Sequence, residues 1–173
     1  MNLYHFVPEN LVGSILYPLN ELEQKFPEQF EQHNKKYIGR EEVKAENIPN
    51  LGKWNDALHL SPIDPSEVIF ELKKAGVKIN WEWRVFVIDG DKLDWSKMKI
   101  MHKSQNKDGS FKTHFEDFNQ ASYDSNCHLP EHTKQHYRDS VAKKELPFNF
   151  AAAPHVFYKG KLDTSKLEIK TYH

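Results

Sequence analysis

The strongest constraint on the fold is a run of apolar residues near the middle of the chain. From Trp81 to Ile88 the large side chains alternate in the manner of a strand, and the four residues from Val85 to Ile88 are all apolar. A strand that is apolar on both faces needs cover on both faces, so this run predicts a central strand. The fold must therefore contain a sheet with other elements packed against it.

The chain begins with a second short strand pattern, Tyr4 to Val7, which carries one polar side chain, His5. Strand alternation places His5 on the face opposite its two neighbours. Pro8 is expected to open a helical turn, because the apolar residues that follow, up to Leu16, recur at helical spacing. Two interpretations of His5 stay open: a ligand-orienting histidine at the bottom of a cleft, or a histidine satisfied by a backbone carbonyl.

A similar pattern recurs from Ala57 to Ser61. Leu58 and Leu60 lie on one predicted face, and His59 lies on the other together with the flanking small residues. A helix over Glu67 to Ala75 is expected to follow. A strand with one polar face, leading into a helix, is thus predicted twice.

Three further segments have helical patterns. A proline is tolerated in a first turn but not in a helix interior, so one helix is expected to end near Phe26 and another to start at Pro27. Glu131 to Lys143 is predicted to be helical. The spacing of the phenylalanines between Phe111 and Phe118 also favours an amphipathic helical turn.

An internal similarity links two parts of the chain. Val85 to Ile100 resembles Val156 to Ile169, since each reads as an apolar strand, a glycine turn and then K-L-D-x-S-K before a second short strand. One interpretation is a supersecondary unit used twice, in which Leu93 and Leu162 are equivalent buried anchors. The alternative is convergence on a common turn.

Length and composition favour a single domain over residues 1–173, large enough to bury an aromatic-rich core without disulfides. The net charge of -1 argues against a broad basic surface for nucleic acid, although a local basic groove remains open. Cys127 has no second cysteine to pair with. Because the sequence has neither a signal-peptide pattern nor a long apolar segment, we expect a soluble cytoplasmic protein without a membrane partner, with signal-less secretion left open.

Common catalytic motifs do not occur in the sequence. There is no GxxxxGK[ST] loop, no GxGxxG turn and no GxSxG elbow, and Cys127 lies in no recognisable nucleophile motif. His132 and His136 share a helix face and, together with Cys127 or His128, have zinc ligands at a conceivable spacing. Surface histidines explain this pattern better, so no metal is predicted.

Arg84 lies just before the central apolar run. An arginine can bind a carboxylate or a phosphate through two parallel hydrogen bonds, so a ligand contact is one interpretation. An ordinary salt bridge with Glu82 is the other.

Leu3 to Leu16, with Tyr4-His5-Phe6-Val7 followed by Ile15-Leu16, resembles the opening of ADP-ribosyltransferase-fold proteins of the diphtheria-toxin-like and DNA-targeting branches. His59-Leu60-Ser61 resembles the later strand that lines the same cleft in those proteins. The resemblance covers the first third of the chain specifically. The rest of the chain resembles these proteins only in the order of its predicted helices and strands. The resemblance implies an α+β fold in which two small, mostly antiparallel sheets pack together with peripheral helices.

The resemblance also implies NAD as a substrate. His5 would hold the ribose or amide side of NAD, and Tyr17 or Trp54 would stack on the nicotinamide. The other residues expected on the NAD side are His59, Ser61 and Arg84.

The family's catalytic glutamate begins a late strand, and two positions are candidates for it. Glu145 is one, if the strand is Leu146 to Phe150; if the strand is Pro154 to Tyr158, His155 takes the place of the glutamate. The expected function is an NAD-dependent ADP-ribosyltransferase-like protein acting on an unknown protein or nucleic-acid acceptor. The alternatives are a catalytically silent ligand- or partner-binding module on the same fold and an RNA 2'-phosphotransferase-like enzyme, which relies on histidine and arginine.

Overall fold

The computed structural model describes residues 1–173, along which helices and strands are mixed. The strands are β1 (Asn2–Phe6), β2 (Ile15–Leu16), β3 (Asn47–Ile48), β4 (Gly52–Lys53), β5 (Leu58–Leu60), β6 (Trp83–Asp89), β7 (Met98–Gln105), β8 (Phe111–Asp117), β9 (His155–Tyr158), β10 (Leu162–Asp163) and β11 (Glu168–Tyr172). The α-helices are α1 (Leu19–Lys25), α2 (Pro27–Asn34), α3 (Pro65–Lys74), α4 (Gln120–Asn126) and α5 (Glu131–Ala142). Short 3-10 helices include Lys35–Tyr37, Glu41–Ala45 and Trp54–Asp56.

The apolar run forms the central strand of a three-stranded antiparallel sheet. β6 lies between β1 and β11, and the register places Phe86 opposite His5. Val85, Phe86 and Ile88 are buried. The prediction of a central strand covered on both faces is confirmed.

A second antiparallel sheet has four strands in the order β5-β9-β7-β8. Two further pairs, β2 with β10 and β3 with β4, form separate two-stranded sheets. The fold is therefore α+β with several small antiparallel sheets, four rather than the two expected.

The two larger sheets pack against each other through one hydrophobic cluster. The three-stranded sheet contributes Leu3, Phe86 and Ile88, and the four-stranded sheet contributes Leu58, Leu60, Met98, Ile100 and Val156. Burial of this much apolar surface is the main stabilising term at the contact between the sheets. The alternation predicted for β5 is confirmed, since Leu58 and Leu60 are buried in this cluster while His59 is only half-buried.

Helices α3 and α5 cover another part of the three-stranded sheet. Val68 and Leu72 of α3 and Tyr137 of α5 share a cluster with Trp83 of β6. α3 begins after Asp64, whose carboxylate accepts a hydrogen bond from the Ser66 backbone nitrogen at 2.8 Å. No helix of the chain combines the length and apolar character needed to cross a membrane.

Two expectations of helix are wrong. The segment after Pro8 is a turn followed by β2, because Gly13 adopts a positive φ of 74° and Ile15 and Leu16 pair with β10. The segment from Phe111 to Asp117 is strand β8, paired along its length with β7. The helices on either side of Phe26 and the helix starting at Glu131 are confirmed.

The internal similarity has a structural counterpart. Asp94 and Asp163 each accept a hydrogen bond from the backbone nitrogen two residues later, at 3.1 and 2.9 Å. Leu93 and Leu162 pack against the same hydrophobic cluster, Leu162 buried and Leu93 half-buried. The two units therefore share a turn and an anchor position, with unequal burial of the anchor.

Substituting Leu162 with alanine is expected to lower the free energy of unfolding by about 2 to 3 kcal/mol. The substitution removes a buried side chain and leaves a cavity that the two short strands β2 and β10 cannot fill. Leu93→Ala should cost less, since its side chain is already half-exposed. Urea denaturation of both variants measures the difference. Equal losses, or no loss in Leu162→Ala, would contradict the assignment of Leu162 as the principal anchor.

Candidate functional site

The two larger sheets meet at one backbone bridge between β1 and the residue after β5. The Tyr4 nitrogen donates to the Ser61 carbonyl oxygen and the Ser61 nitrogen donates to the Tyr4 carbonyl oxygen, both at 2.8 Å. His5 directly follows Tyr4, and His59 lies two residues before Ser61. The bridge thus brings both predicted histidines to one place.

A cavity of about 350 Å³ opens at this place. Most of its wall is apolar or aromatic and comes from β1, the turn after it, α1 and β5. Its lining residues with a polar side-chain group are Tyr4, His5, Tyr17, Gln29, His33, Lys36, Tyr37, His59, Ser61 and His155. No aspartate or glutamate lines the cavity. His5, His59 and Ser61 therefore share one cavity.

Backbone carbonyls determine the tautomers of three of these histidines. His5 Nδ1 lies 2.7 Å from the Phe6 carbonyl oxygen, His59 Nε2 lies 2.9 Å from that of Trp54, and His155 Nδ1 lies 2.8 Å from that of Ala153. A carbonyl oxygen can only accept, so the proton of each neutral ring resides on the nitrogen that faces it. The other nitrogen of each ring is then an acceptor.

The same three rings are neutral at pH 7. Burial lowers the pKa of His5 to about 4 and that of His59 to about 3, because it disfavours the charged imidazolium. Burial also lowers the pKa of His155. These histidines therefore supply hydrogen-bond acceptors rather than positive charge.

Lys36 is the only lysine or arginine that lines the cavity. It follows α2 in the 3-10 helix Lys35–Tyr37, one turn from His33. Although Lys36 as a whole is exposed, burial of its ammonium group and the nearby charge of Arg40 lower its pKa. The single ammonium group gives one side of the cavity a cationic character.

Two aromatic rings, those of Phe157 and Trp54, pack against the His59 ring. The Phe157 ring lies opposite His59 in the register of β5 and β9, with ring centroids 4.8 Å apart. The Trp54 ring packs edge-on against both, at 4.9 Å from His59 and 4.7 Å from Phe157. Trp54 itself does not line the cavity. Its place is behind His59, rather than in a position to stack on a ligand.

Tyr17 does line the cavity, at the end of the turn that leads into α1. Its ring is fixed by neighbours: Lys25 and Lys161 place their ammonium groups 4.9 and 5.4 Å from its centroid, and Phe26 packs at 5.7 Å. Cation–π contacts of this kind hold an aromatic ring at a stable position on the cavity wall.

Besides Trp54, two further candidate residues lie outside the cavity. Arg84 is an exposed residue of β6, and Glu145 is exposed in the segment after α5. The segment Leu146 to Phe150 forms no strand, so the expectation that Glu145 precedes a late strand is wrong. The late strand is β9, and His155 is its first residue.

The sequence interpretation missed Tyr4 and Tyr37 as lining residues, and it also missed three polar residues of α2 and the 3-10 helix after it, Gln29, His33 and Lys36. A signal for these last three was present, because they are spaced at i, i+4 and i+7 and therefore lie on one face of α2 and the turn that continues it. Pro27 correctly predicts the start of this helix.

His132 and His136 lie in the first half of α5, and each makes a hydrogen bond with the backbone. His132 Nε2 is 3.1 Å from the Ala152 carbonyl oxygen, and His136 Nε2 accepts a hydrogen bond from the Phe148 nitrogen at 3.2 Å. Nowhere in the chain do three histidine, cysteine, aspartate or glutamate side chains come together as metal ligands would.

Comparison with known proteins gives no match: no family model, no curated protein and no solved structure is similar to this chain. The chemistry of the cavity therefore carries the functional argument by itself. That chemistry consists of neutral imidazoles, one ammonium group, aromatic walls and no carboxylate.

Proposed function

We propose that this chain is a ribonucleotide-binding module, built like an NAD-binding ADP-ribosyltransferase but without a carboxylate at the site. The observation that carries the proposal is the set of three neutral imidazoles in one cavity, each with its proton directed to a backbone carbonyl. Each ring keeps a free acceptor nitrogen. Ribose hydroxyls and the amino group of a carboxamide or base are the donors that suit such acceptors.

The dimensions and walls of the cavity support a nucleoside portion inside it. Its volume of about 350 Å³ lies near the lower end of small-molecule pockets, which span roughly 300–1,000 Å³. A planar ring and its ribose suit this space, whereas the rest of a dinucleotide would extend outside. Tyr17 offers the ring an aromatic contact, and Lys36 offers the phosphate an ammonium group.

Transfer of ADP-ribose by the family's usual route needs a carboxylate that stabilises the developing oxocarbenium ion. Glu145 is exposed and outside the cavity, and no other aspartate or glutamate lines it. We therefore favour ligand binding without glutamate-assisted transfer. NAD hydrolysis or transfer by the purified protein would favour the transferase alternative instead.

A second candidate is 2'-phosphotransferase-like chemistry, which relies on histidine and arginine. The observation in its favour is that four histidines and Lys36 share the cavity. Arg84, which this candidate would also use, lies outside. A 2'-phosphorylated oligoribonucleotide is therefore included among the ligands below.

Substituting Lys36 with methionine is expected to weaken the binding of NAD or ADP-ribose about tenfold, because a charge-assisted hydrogen bond to phosphate is lost. Binding of the corresponding nucleoside, which has no phosphate, should not change. Isothermal titration with NAD, NADH, ADP-ribose and the 2'-phosphorylated oligoribonucleotide provides the measurement.

Lys35→Met is the matched control, since Lys35 is adjacent and exposed but does not line the cavity. Glu145→Gln should likewise leave binding unchanged. Failure of the wild type to bind any of these ligands would refute the proposal. Tight binding of the 2'-phosphorylated oligoribonucleotide, with no binding of the other ligands, would favour the second candidate function.

A further inference from the structure

One polar side chain of the cavity wall lacks a partner. Gln29 of α2 is only 7% exposed, and its Nε2 atom makes no hydrogen bond. Gln29 also lines the cavity. A buried amide donor without an acceptor reduces the stability of the folded state, so its presence at this position calls for an explanation.

The cavity distinguishes Gln29 from the other buried unpaired polar groups. Asn20, Asn55 and Trp81 each have one such atom, but none of them lines the cavity. The Asn20 amide is already tied to Asp56 through its nitrogen at 2.8 Å. Trp81 lines a separate, more open pocket with Glu82 and residues 146–149. Of these groups, only the Gln29 donor lies in the wall of the cavity that contains the histidines.

We propose that Gln29 determines ligand specificity by donating a hydrogen bond from Nε2 to an uncharged acceptor on the ring of the bound nucleotide. This inference rests on the proposed nucleotide-binding function. The histidines of the cavity accept hydrogen bonds, whereas Gln29 donates one, so together they match a ring that carries both a donor and an acceptor. A nicotinamide carboxamide and an adenine edge both have this pattern, and separate ligands distinguish them.

The test uses Gln29→Met, which retains the length and helix propensity of glutamine but removes the donor. Nicotinamide mononucleotide and adenosine monophosphate are titrated separately, with ribose 5-phosphate as the ligand that lacks a ring. Gln29→Met should weaken binding of one or both mononucleotides about tenfold, as expected when a buried hydrogen bond is lost. Binding of ribose 5-phosphate should stay as in the wild type.

A second readout needs no ligand. Because the unpaired donor is removed, the melting temperature of ligand-free Gln29→Met should rise by about 2–4 °C. Gln32→Met is the matched control, since Gln32 is exposed on the same helix, and it should change neither the melting temperature nor the binding. Gln29→Glu keeps the shape but replaces the donor with a carboxylate, and it should lose mononucleotide binding as Gln29→Met does.

The outcomes separate this inference from the function on which it rests. Wild-type protein that binds no mononucleotide would overturn the nucleotide-binding function and this inference with it. If Gln29→Met binds the mononucleotides as tightly as the wild type does, the role of Gln29 is overturned while the nucleotide-binding function stands. A ligand-free Gln29→Met protein that is less stable than the wild type would also overturn it, since the amide would then have a partner within the fold.

Discussion

Lowering the pH from 7 to 5 is expected to reduce the free energy of unfolding by about 4 kcal/mol, chiefly through His5 and His59. In the folded protein burial lowers their pKa values to about 4 and about 3. In the unfolded chain each has an ordinary pKa near 6.5. Between pH 6.5 and pH 4 the unfolded state therefore binds protons that the folded state rejects.

The direction of the pH dependence of stability follows from this difference in pKa between the folded and unfolded states. Protons bind the unfolded state more strongly, so stability is complete above pH 6.5 and falls as the pH drops through that value toward the folded pKa values. Each histidine contributes a slope of up to about 1.4 kcal/mol per pH unit. The lowered pKa of His155 adds in the same direction.

Urea denaturation at half-unit steps between pH 7.5 and 5 measures this effect. His59→Gln removes one titrating group, so the slope of stability against pH should fall by about 1.4 kcal/mol per pH unit. Glutamine is uncharged over the whole pH range, so any change in packing in His59→Gln shifts stability equally at every pH, and only the loss of titration changes the slope. A wild-type stability that stays constant from pH 7 to 5 would show that these rings are not buried as described.

Local sequence patterns predicted the elements well where one signal dominated. The apolar run from Val85 to Ile88 predicted a central strand because a strand with apolar residues on both faces must be covered on both. Pro27 predicted a helix start because its fixed φ suits the first turn of a helix. Spacing alone misled at Phe111 and Phe115, because residues four apart share a face in a strand as well as in a helix. Pairing with β7 decided between the two.

The site was only partly predictable for a related reason. Strand alternation identified His5 and His59 as polar residues on otherwise apolar strands, and the structure places both in one cavity. That they meet depends on the bridge between Tyr4 and Ser61, a long-range pairing that no local pattern contains. The prediction for Glu145 failed because it required a strand over residues 146–150, where Pro147 removes a backbone N–H donor and the chain forms a loop.

Substituting Phe157 with alanine is expected to reduce the free energy of unfolding by about 3–5 kcal/mol and to weaken ligand binding as well. Phe157 is fully buried, and its ring contacts His59, Trp54 and Phe115. Removal of the ring leaves a void behind His59, and the imidazole then loses the wall that fixes its orientation. Urea denaturation gives the stability change, and titration with NAD gives the change in affinity.

Phe157→Leu is the matched control, because leucine retains most of the buried apolar volume and should cost less than half as much stability as alanine. If the ring orients His59, the affinity for NAD should fall in Phe157→Ala by more than it does in Phe157→Leu, under conditions where both variants are fully folded. Equal affinities in the two folded variants would assign Phe157 to the core alone. A stability loss below about 1 kcal/mol in Phe157→Ala would contradict the packing of the four-stranded sheet itself, because truncating a buried phenylalanine without loss requires the neighbouring residues to fill the void.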